Sequence, residues 1–355
     1  MDRRRSSRTL VRARLDGTDP FIEMETLMKR PLVALLAALA LPAVGALPTA
    51  VAHDDPPGRP TTYVLDGDDG GSRFEGIGTD QRRGTFYVSE VTGGEIHRGT
   101  ANRAHTSEWL AGDGADGRFT ARGITTDRRG NVYVAGGPNG IGPDGRDNGR
   151  PDVWVYSRSG QLLAALQVPG DNAFLNDVWI GPDGAAYVTN SNAPQIFRVV
   201  REHGSWTVEL WVDATGTIPT VQGPGQFNLG GIVTSPDRSA LIVAQGNLGR
   251  LWRLDLQERS VTQVDTGGVD LVGADGLVLR GNRLTVVRNF PRVVTTLRLS
   301  ADGSDARLLS EQATDPERVL TTAKVLNGRI LYVDSKFDEA VATPPYEVVT
   351  DPFVR

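Results

Sequence analysis

The sequence predicts an all-β protein, a six-bladed β-propeller of four-stranded blades. Three observations lead there. Forty-two glycines and 21 prolines among 355 residues imply many turns and short strands. No amphipathic helix of useful length appears. One short pattern recurs six times, at a period near that of a propeller blade. In it a polar lead residue precedes Gly and an aliphatic, a turn with Asp or Gly follows, and then come two β-rich runs, the second ending near Arg.

The first copy is Glu75-Gly76-Ile77, a turn over 80–84, Thr85 to Ser89, then Glu95 to Arg98. The second runs Arg122-Gly123-Ile124, a turn over 127–130, Val132-Tyr133-Val134, then Val153 to Tyr156. Asn176-Asp177-Val178, Pro182-Asp183-Gly184, Ala186 to Thr189 and Gln195 to Arg198 make the third. The fourth has Gly230-Gly231-Ile232, Pro236-Asp237, Leu241 to Ala244 and Arg250 to Arg253. The fifth has Asp275-Gly276-Leu277, Gly281-Asn282, Leu284 to Val287 and Val293 to Leu297. The sixth is degenerate, with Thr322 as lead before Ala323-Lys324-Val325, then Asn327-Gly328 and Ile330 to Val333. Lead residues are thus separated by 47, 54, 54, 45 and 47 positions. A lone blade leaves both faces of its sheet exposed, and a ring of six buries them. Thr62 to Leu65 precedes the first copy and is expected to complete the last blade, latching the ring.

In a propeller the innermost strands line the central channel. The six leads, Glu75, Arg122, Asn176, Gly230, Asp275 and Thr322, are therefore expected to converge at one mouth. Two carboxylates and an amide oxygen, without Cys or His, form a hard-oxygen donor set that suits a divalent cation, Ca²⁺ above Mg²⁺. The chain has no cysteine, which removes disulfides, thiolate metal sites and cysteine nucleophiles. Its histidines show no zinc-ligand spacing. No Gly-x-Ser-x-Gly elbow, phosphate loop, dinucleotide fingerprint or His-Glu-x-x-His occurs.

The N-terminus reads as an address. Met28-Lys29-Arg30 is a short basic region, residues 31–47 are apolar, and Ala50-Val51-Ala52 is a small-x-small cleavage pattern. Residues 28–52 are expected to be a signal peptide, the mature propeller spanning 53–355, with 1–27 an over-long start before Met28. The apolar run is short and broken by Pro42, so no stable membrane anchor is expected in the mature form. Residues 1–52 hold eight Lys/Arg and five Asp/Glu, and the rest of the chain carries a net charge of −8. Such a chain is expected to be secreted and to bind no nucleic acid.

The Glu75-Gly76 start, Asn176-Asp177 followed by Pro182-Asp183-Gly184, the Ser235-Pro236-Asp237 turn and Asp275-Gly276 resemble the regucalcin–gluconolactonase family of six-bladed propellers, over about residues 70–340. The resemblance implies a divalent metal, often calcium, held in the channel by a Glu, an Asn and an Asp, and hydrolysis of a lactone or related ester. On that resemblance Glu75 is a metal ligand, Asp275 a ligand and the catalytic base, and Asn176 contacts substrate or metal. Three positions depart from it, one being Val178 after Asn176-Asp177, where the family's motif reads Asn-Asp-Gly. Gly230 stands where the fourth blade usually offers Asn, leaving Asn228 as a substitute ligand on the same strand face by parity. Phe174 stands where an arginine often precedes the third-blade Asn.

Arg122 either contacts an anionic substrate or offsets Glu75 and Asp275. Asp177 is expected to be structural, bonded to the adjacent turn. Arg288-Asn289-Phe290 is a weak site candidate. The Asp/Gly clusters at 66–71, 112–117 and 140–149 lack the spacing of a calcium loop and read as flexible loops. Trp154, Trp206 and Trp252 read as packing between blades. The alternative to a lactonase is a non-catalytic propeller that binds a ligand or partner.

Overall fold

A computed structural model describes residues 58–354 apart from Pro143, Asn172 and Pro224. The expected signal peptide, its cleavage point and the 1–27 extension lie outside the described residues. Six sheets of four antiparallel strands follow one another around a ring. The innermost strand of each is Phe74–Asp80, Ile124–Thr126, Leu175–Ile180, Leu229–Thr234, Ala274–Arg280 and Leu320–Leu326. The only helical element among the described residues is a single 3₁₀ turn, Gly246–Leu248.

The latch forms as the sequence predicts. Thr62–Leu65 is the outermost strand of the last blade and pairs antiparallel with Tyr346–Val349, Thr62 opposite Val349 and Leu65 opposite Tyr346. The two ends of the described chain thus share one sheet, which closes the ring without a free edge between first and last blade.

The core is divided among the blade interfaces. One apolar cluster fills each of the six: Tyr63, Phe74, Phe86 and Tyr346 between the last blade and the first, Tyr87, Ile124 and Trp154 between the first and second, and comparable groups around the rest of the ring. Trp154 and Trp252 are buried, as their packing role requires. Burying one such side chain contributes about 1.5–3 kcal/mol, so each interface draws on several of these terms.

Each inner strand approaches its neighbour very closely at the channel. A Cβ on Gly123 would stand 2.5 Å from the Asn176 carbonyl oxygen, and Gly76, Gly231 and Gly276 have still less room. This is why Gly follows the lead residue in four of six copies.

Candidate active site at the channel mouth

The lead residues owe their direction to a repeated irregularity. Phe74 pairs with Glu90 and Ile77 with Val88, so Glu75 and Gly76 together oppose a single residue, Ser89. The same two-against-one shift recurs at Leu175/Val178, Leu229/Ile232, Ala274/Leu277 and Leu320/Ala323. These are β-bulges, which bend a strand and re-aim its side chains. The register corrects the sixth copy. Thr321, not Thr322, occupies the place of Glu75, and Thr322 that of Gly76. Thr321 is fully buried and its Oγ1 donates to the Glu75 carbonyl, 2.9 Å away.

Glu75, Arg122, Asn176 and Asp275 do converge. They form the floor of a cavity of about 430 Å³ at one mouth of the channel, beside Gly230. The walls come from loops: Gly225 to Asn228, Gly246 and Asn247, Val272 to Ala274, Asn289 to Pro291, and Phe337. Phe227, Phe290 and Phe337 belong to one apolar cluster with Val319 and Val91. Just below the floor, Glu75, Asn176, Asp177, Asp275 and Thr322 surround a void of about 10 Å³, room for about one water.

The charges on the floor are already partnered. Arg122 Nη1 donates to Glu75 Oε2 at 2.9 Å, with both side chains buried. The guanidinium lies 4.5 Å from the centre of the Phe174 ring, a cation–π arrangement that fixes its plane. Phe174 in turn meets Phe227 edge-on at 5.2 Å. The second blade therefore delivers an arginine onto the third-blade Phe that occupies the position of an expected arginine. Of the two roles open to Arg122, the structure shows the offsetting of Glu75. Asp275 accepts from Asn289 Nδ2 at 3.2 Å.

Burial pushes the Glu75 carboxyl up to about 7, with Arg122 pulling it down and the Asp177 charge adding to the rise. Asp275 is held well above the usual carboxylate range by burial first, then by the Glu75 and Asp177 charges, against Arg122 and Asn289. Desolvation outweighs the favourable ion pair at the buried Glu75, and it also raises the half-buried Asp275.

Asn228 lines the cavity but its amide is committed elsewhere. Its Oδ1 accepts from Val221 N at 2.9 Å and Asn247 Nδ2 at 3.1 Å; its Nδ2 donates to the Ser191 and Val221 carbonyls, both at 3.1 Å. It holds a loop in place and is not turned toward the floor as a substitute ligand would be. Asp177 is structural, though its partners are not in the adjacent turn. It accepts from Val178 N at 2.8 Å and Ile232 N at 3.3 Å, and Lys324 Nζ lies 3.4 Å away across the ring. Lys324 and the wall residues Phe227, Val272 and Phe337 were not singled out by sequence reasoning. A lysine inside the strand Leu-Thr-Thr-Ala-Lys-Val-Leu was the available signal for the first. Asn289 and Phe290 do reach the site, while Arg288 points away to Asp270 and Glu311. The 140–149 loop does not line the cavity.

The expected calcium is tested by this donor set. Ca²⁺ takes about 6–8 oxygens. Of the four expected ligands, Asn228 is committed to backbone and Glu75 is held by a guanidinium, leaving Asp275 and Asn176. Among the described residues no three His, Cys, Asp or Glu side chains are grouped to hold a metal ion. As arranged, the residues do not fit a calcium ion, and Arg122 is the cation of the floor.

Fold and site together define a six-bladed propeller with one concave cavity at a channel mouth. Among solved structures the chain is similar to the Malassezia sympodialis allergen Mala s 1, with 16% identity, a TM-score of 0.60, and 82% of this chain and 95% of that one covered. It is similar to a gluconolactonase from Xanthomonas campestris, with 15% identity, a TM-score of 0.55, and coverages of 80% and 88%. The calcium-binding protein regucalcin from Agrobacterium tumefaciens has 15% identity, a TM-score of 0.52, and coverages of 80% and 97%. At such identities the likeness is one of fold, and the regucalcin and gluconolactonase propellers anticipated from the lead motifs share it. No protein-family model and no curated protein matches the sequence.

Proposed function

We propose that the chain is an exported hydrolase of a small lactone or related ester, acting at this channel mouth. The observation that carries the reading is the floor: a buried and a half-buried carboxyl, both with raised proton affinity, beside a fixed guanidinium at the base of one concave cavity. Such groups cluster where proton transfer is done. In the proposed reaction Asp275, as carboxylate, takes a proton from water while the water oxygen attacks the carbonyl carbon. Arg122 faces the charge that develops on the carbonyl oxygen. The carbon–oxygen bond of the ester then breaks, the leaving oxygen takes up the proton, and the products are a carboxylic acid and an alcohol, joined in one molecule when the substrate is a lactone.

The divalent Lewis acid expected from the sequence has no place in these steps, because Arg122 already carries the positive charge of the floor. Export rests on the signal-like segment at 28–52, and N-terminal sequencing of secreted protein tests it by whether the chain starts at His53. For catalysis, a lactone and ester panel with the wild type, Asp275→Asn and Glu75→Gln is the direct test. Loss of the base is expected to lower kcat by about 100-fold or more. Full activity in Asp275→Asn sinks the assignment.

A second reading is favoured by one specific feature. Glu75 is neutralised in place and stacked against an aromatic shelf through Arg122, which suits a site that binds a ligand without transforming it. Saturable binding with no turnover anywhere on the panel would support that reading over the first.

A further inference from the structure

The walls of the cavity carry information that the floor does not. Two of their polar side chains, Asn228 and Asn289, are engaged within the protein, while Asn247 Oδ1 has no hydrogen-bond partner among the described residues and Gln226 is the other polar side chain of the wall. Asn228 makes four hydrogen bonds within the protein, one of them from Asn247 Nδ2. Asn289 donates to Asp275 and accepts from Phe290 N at 2.7 Å. Among the backbone groups of the wall, Gly273 N donates to the Gly246 carbonyl at 2.9 Å, and Asn289 N to the Gly273 carbonyl at 3.1 Å. What remains facing the cavity is mostly apolar: Phe227, Phe290, Phe337, Pro291 and Val272, the last 49% exposed. A ligand that brings hydroxyl groups against this wall loses their hydrogen bonds to water and meets few partners in exchange. A ligand with an apolar body covers exposed apolar surface at no such cost. The cavity volume falls in the range of small-molecule sites, about 300–1,000 Å³.

We infer that the ligand of this mouth has an apolar body, a small ring or acyl chain free of hydroxyl groups, seated on Phe227, Phe290, Phe337 and Val272, with one carbonyl end directed to Arg122, Asn176 and Asp275. The inference rests on the hydrolase reading for its chemistry and on the wall alone for its selectivity. It sets the site apart from one built for a polyhydroxylated lactone, whose hydroxyls would need a ring of unengaged donors and acceptors.

Two six-membered lactones separate the cases: one with a butyl tail and D-glucono-δ-lactone. The tailed lactone is expected to have the higher kcat/KM by about 30-fold or more. Val272→Ser and Phe290→Ala are expected to raise its KM by about tenfold with kcat little changed, and so to narrow its advantage over glucono-δ-lactone. Val272 is exposed, so its variant stays folded even where Phe290→Ala does not. A six-membered lactam with the same tail cannot be hydrolysed as readily and reads binding alone, by calorimetry or a thermal shift. Binding of the tailed lactam, weakened by Val272→Ser, supports the apolar seat even when no lactone is turned over, in which case only the hydrolase reading fails. Equal or better handling of glucono-δ-lactone, or a lactam affinity that Val272→Ser leaves unchanged, overturns the inference.

Discussion

The floor and the walls of the cavity come from different kinds of chain. The floor is set by the inner strands, with Glu75, Asn176 and Asp275 on bulges and Arg122 at the corresponding place just before the strand Ile124–Thr126. The walls are set by loops of unequal length between other strands, and they bring Phe227, Val272, Phe290 and Phe337. Strand positions repeat and are charged or polar; loop positions do not repeat and are mostly apolar. The difference teaches that chemistry and selectivity in this molecule are separable, one held by the ring's symmetry and the other by its departures from it.

The sharpest way to break the floor is to remove its cation. Arg122→Ala leaves a buried carboxylate without a partner, and such losses cost about 3–5 kcal/mol. Urea unfolding at pH 8 is expected to show this. The loss should be smaller at pH 5, where Glu75 takes up a proton instead of remaining charged. Adding Glu75→Gln to Arg122→Ala should restore much of the stability, because no lone charge remains. Equal losses for the single and double variants would mean that the pair contributes through packing on Phe174 and not through charge.

On the wall, Asn228→Ala tests whether that residue supports a loop. Its removal leaves the Val221 N–H and carbonyl without their side-chain partners, at about 1–3 kcal/mol. Calcium response is expected to be unaltered by it. A variant that lost calcium binding at wild-type stability would restore Asn228 as a ligand.

The lead pattern was legible in the sequence because it obeys the geometry of the ring. Close approach of adjacent inner strands demands Gly after the lead, and that Gly marks the lead in blades one, two, four and five. In the third blade, where Asp177 replaces the Gly, the following Pro182-Asp183-Gly184 turn still marks the lead, but in the sixth nothing does. Thr321, Thr322 and Ala323 offer no mark, and the sixth lead was placed one residue late. Convergence of Glu75 and Asp275 followed from the period alone. The partners of those carboxyls did not, since Arg122 bonding Glu75 and Lys324 lying beside Asp177 depend on side-chain reach across blades. Asn228 shows the limit of parity: strand alternation placed it on the correct face, but a preceding loop captured its amide. Of the aromatic wall only Phe290 was legible, next to the fifth blade's second strand; Phe227 and Phe337 lie in unrelated loops, with no shared spacing.

Proton affinity on the floor gives a pH dependence of folding. Glu75 is raised from 4.5 to about 7, so between those values the folded chain binds more protons than the unfolded one. Stability contributed by this group is therefore fully present below about 4.5 and is lost as pH rises through about 7. Asp152, raised to about 6 by burial, acts in the same direction. The difference between wild type and Glu75→Gln isolates the floor: melting temperatures measured from pH 5 to 8 should fall more steeply for the wild type. A parallel pair of curves would show that Glu75 is ionised throughout.

The smallest expected effect discriminates most finely between the two cations that the floor can hold. A divalent ion entering the wild-type mouth must displace the Arg122 guanidinium from Glu75, and it finds no side chain at Gly230 and a committed amide at Asn228. Binding that is weak relative to 1 mM Ca²⁺ stabilises by only a fraction of RT, a melting shift of less than about 1 °C for a chain of this size. Arg122→Gln removes the competing charge and frees Glu75 beside Asp275 and Asn176. Measured against its own metal-free melting point, that variant is expected to gain several degrees with 1 mM Ca²⁺ and to lose them with EDTA. A shift of several degrees in the wild type itself, reversed by EDTA, would mean that Arg122 yields to the ion and that the four-ligand expectation drawn from the lead residues describes the loaded site.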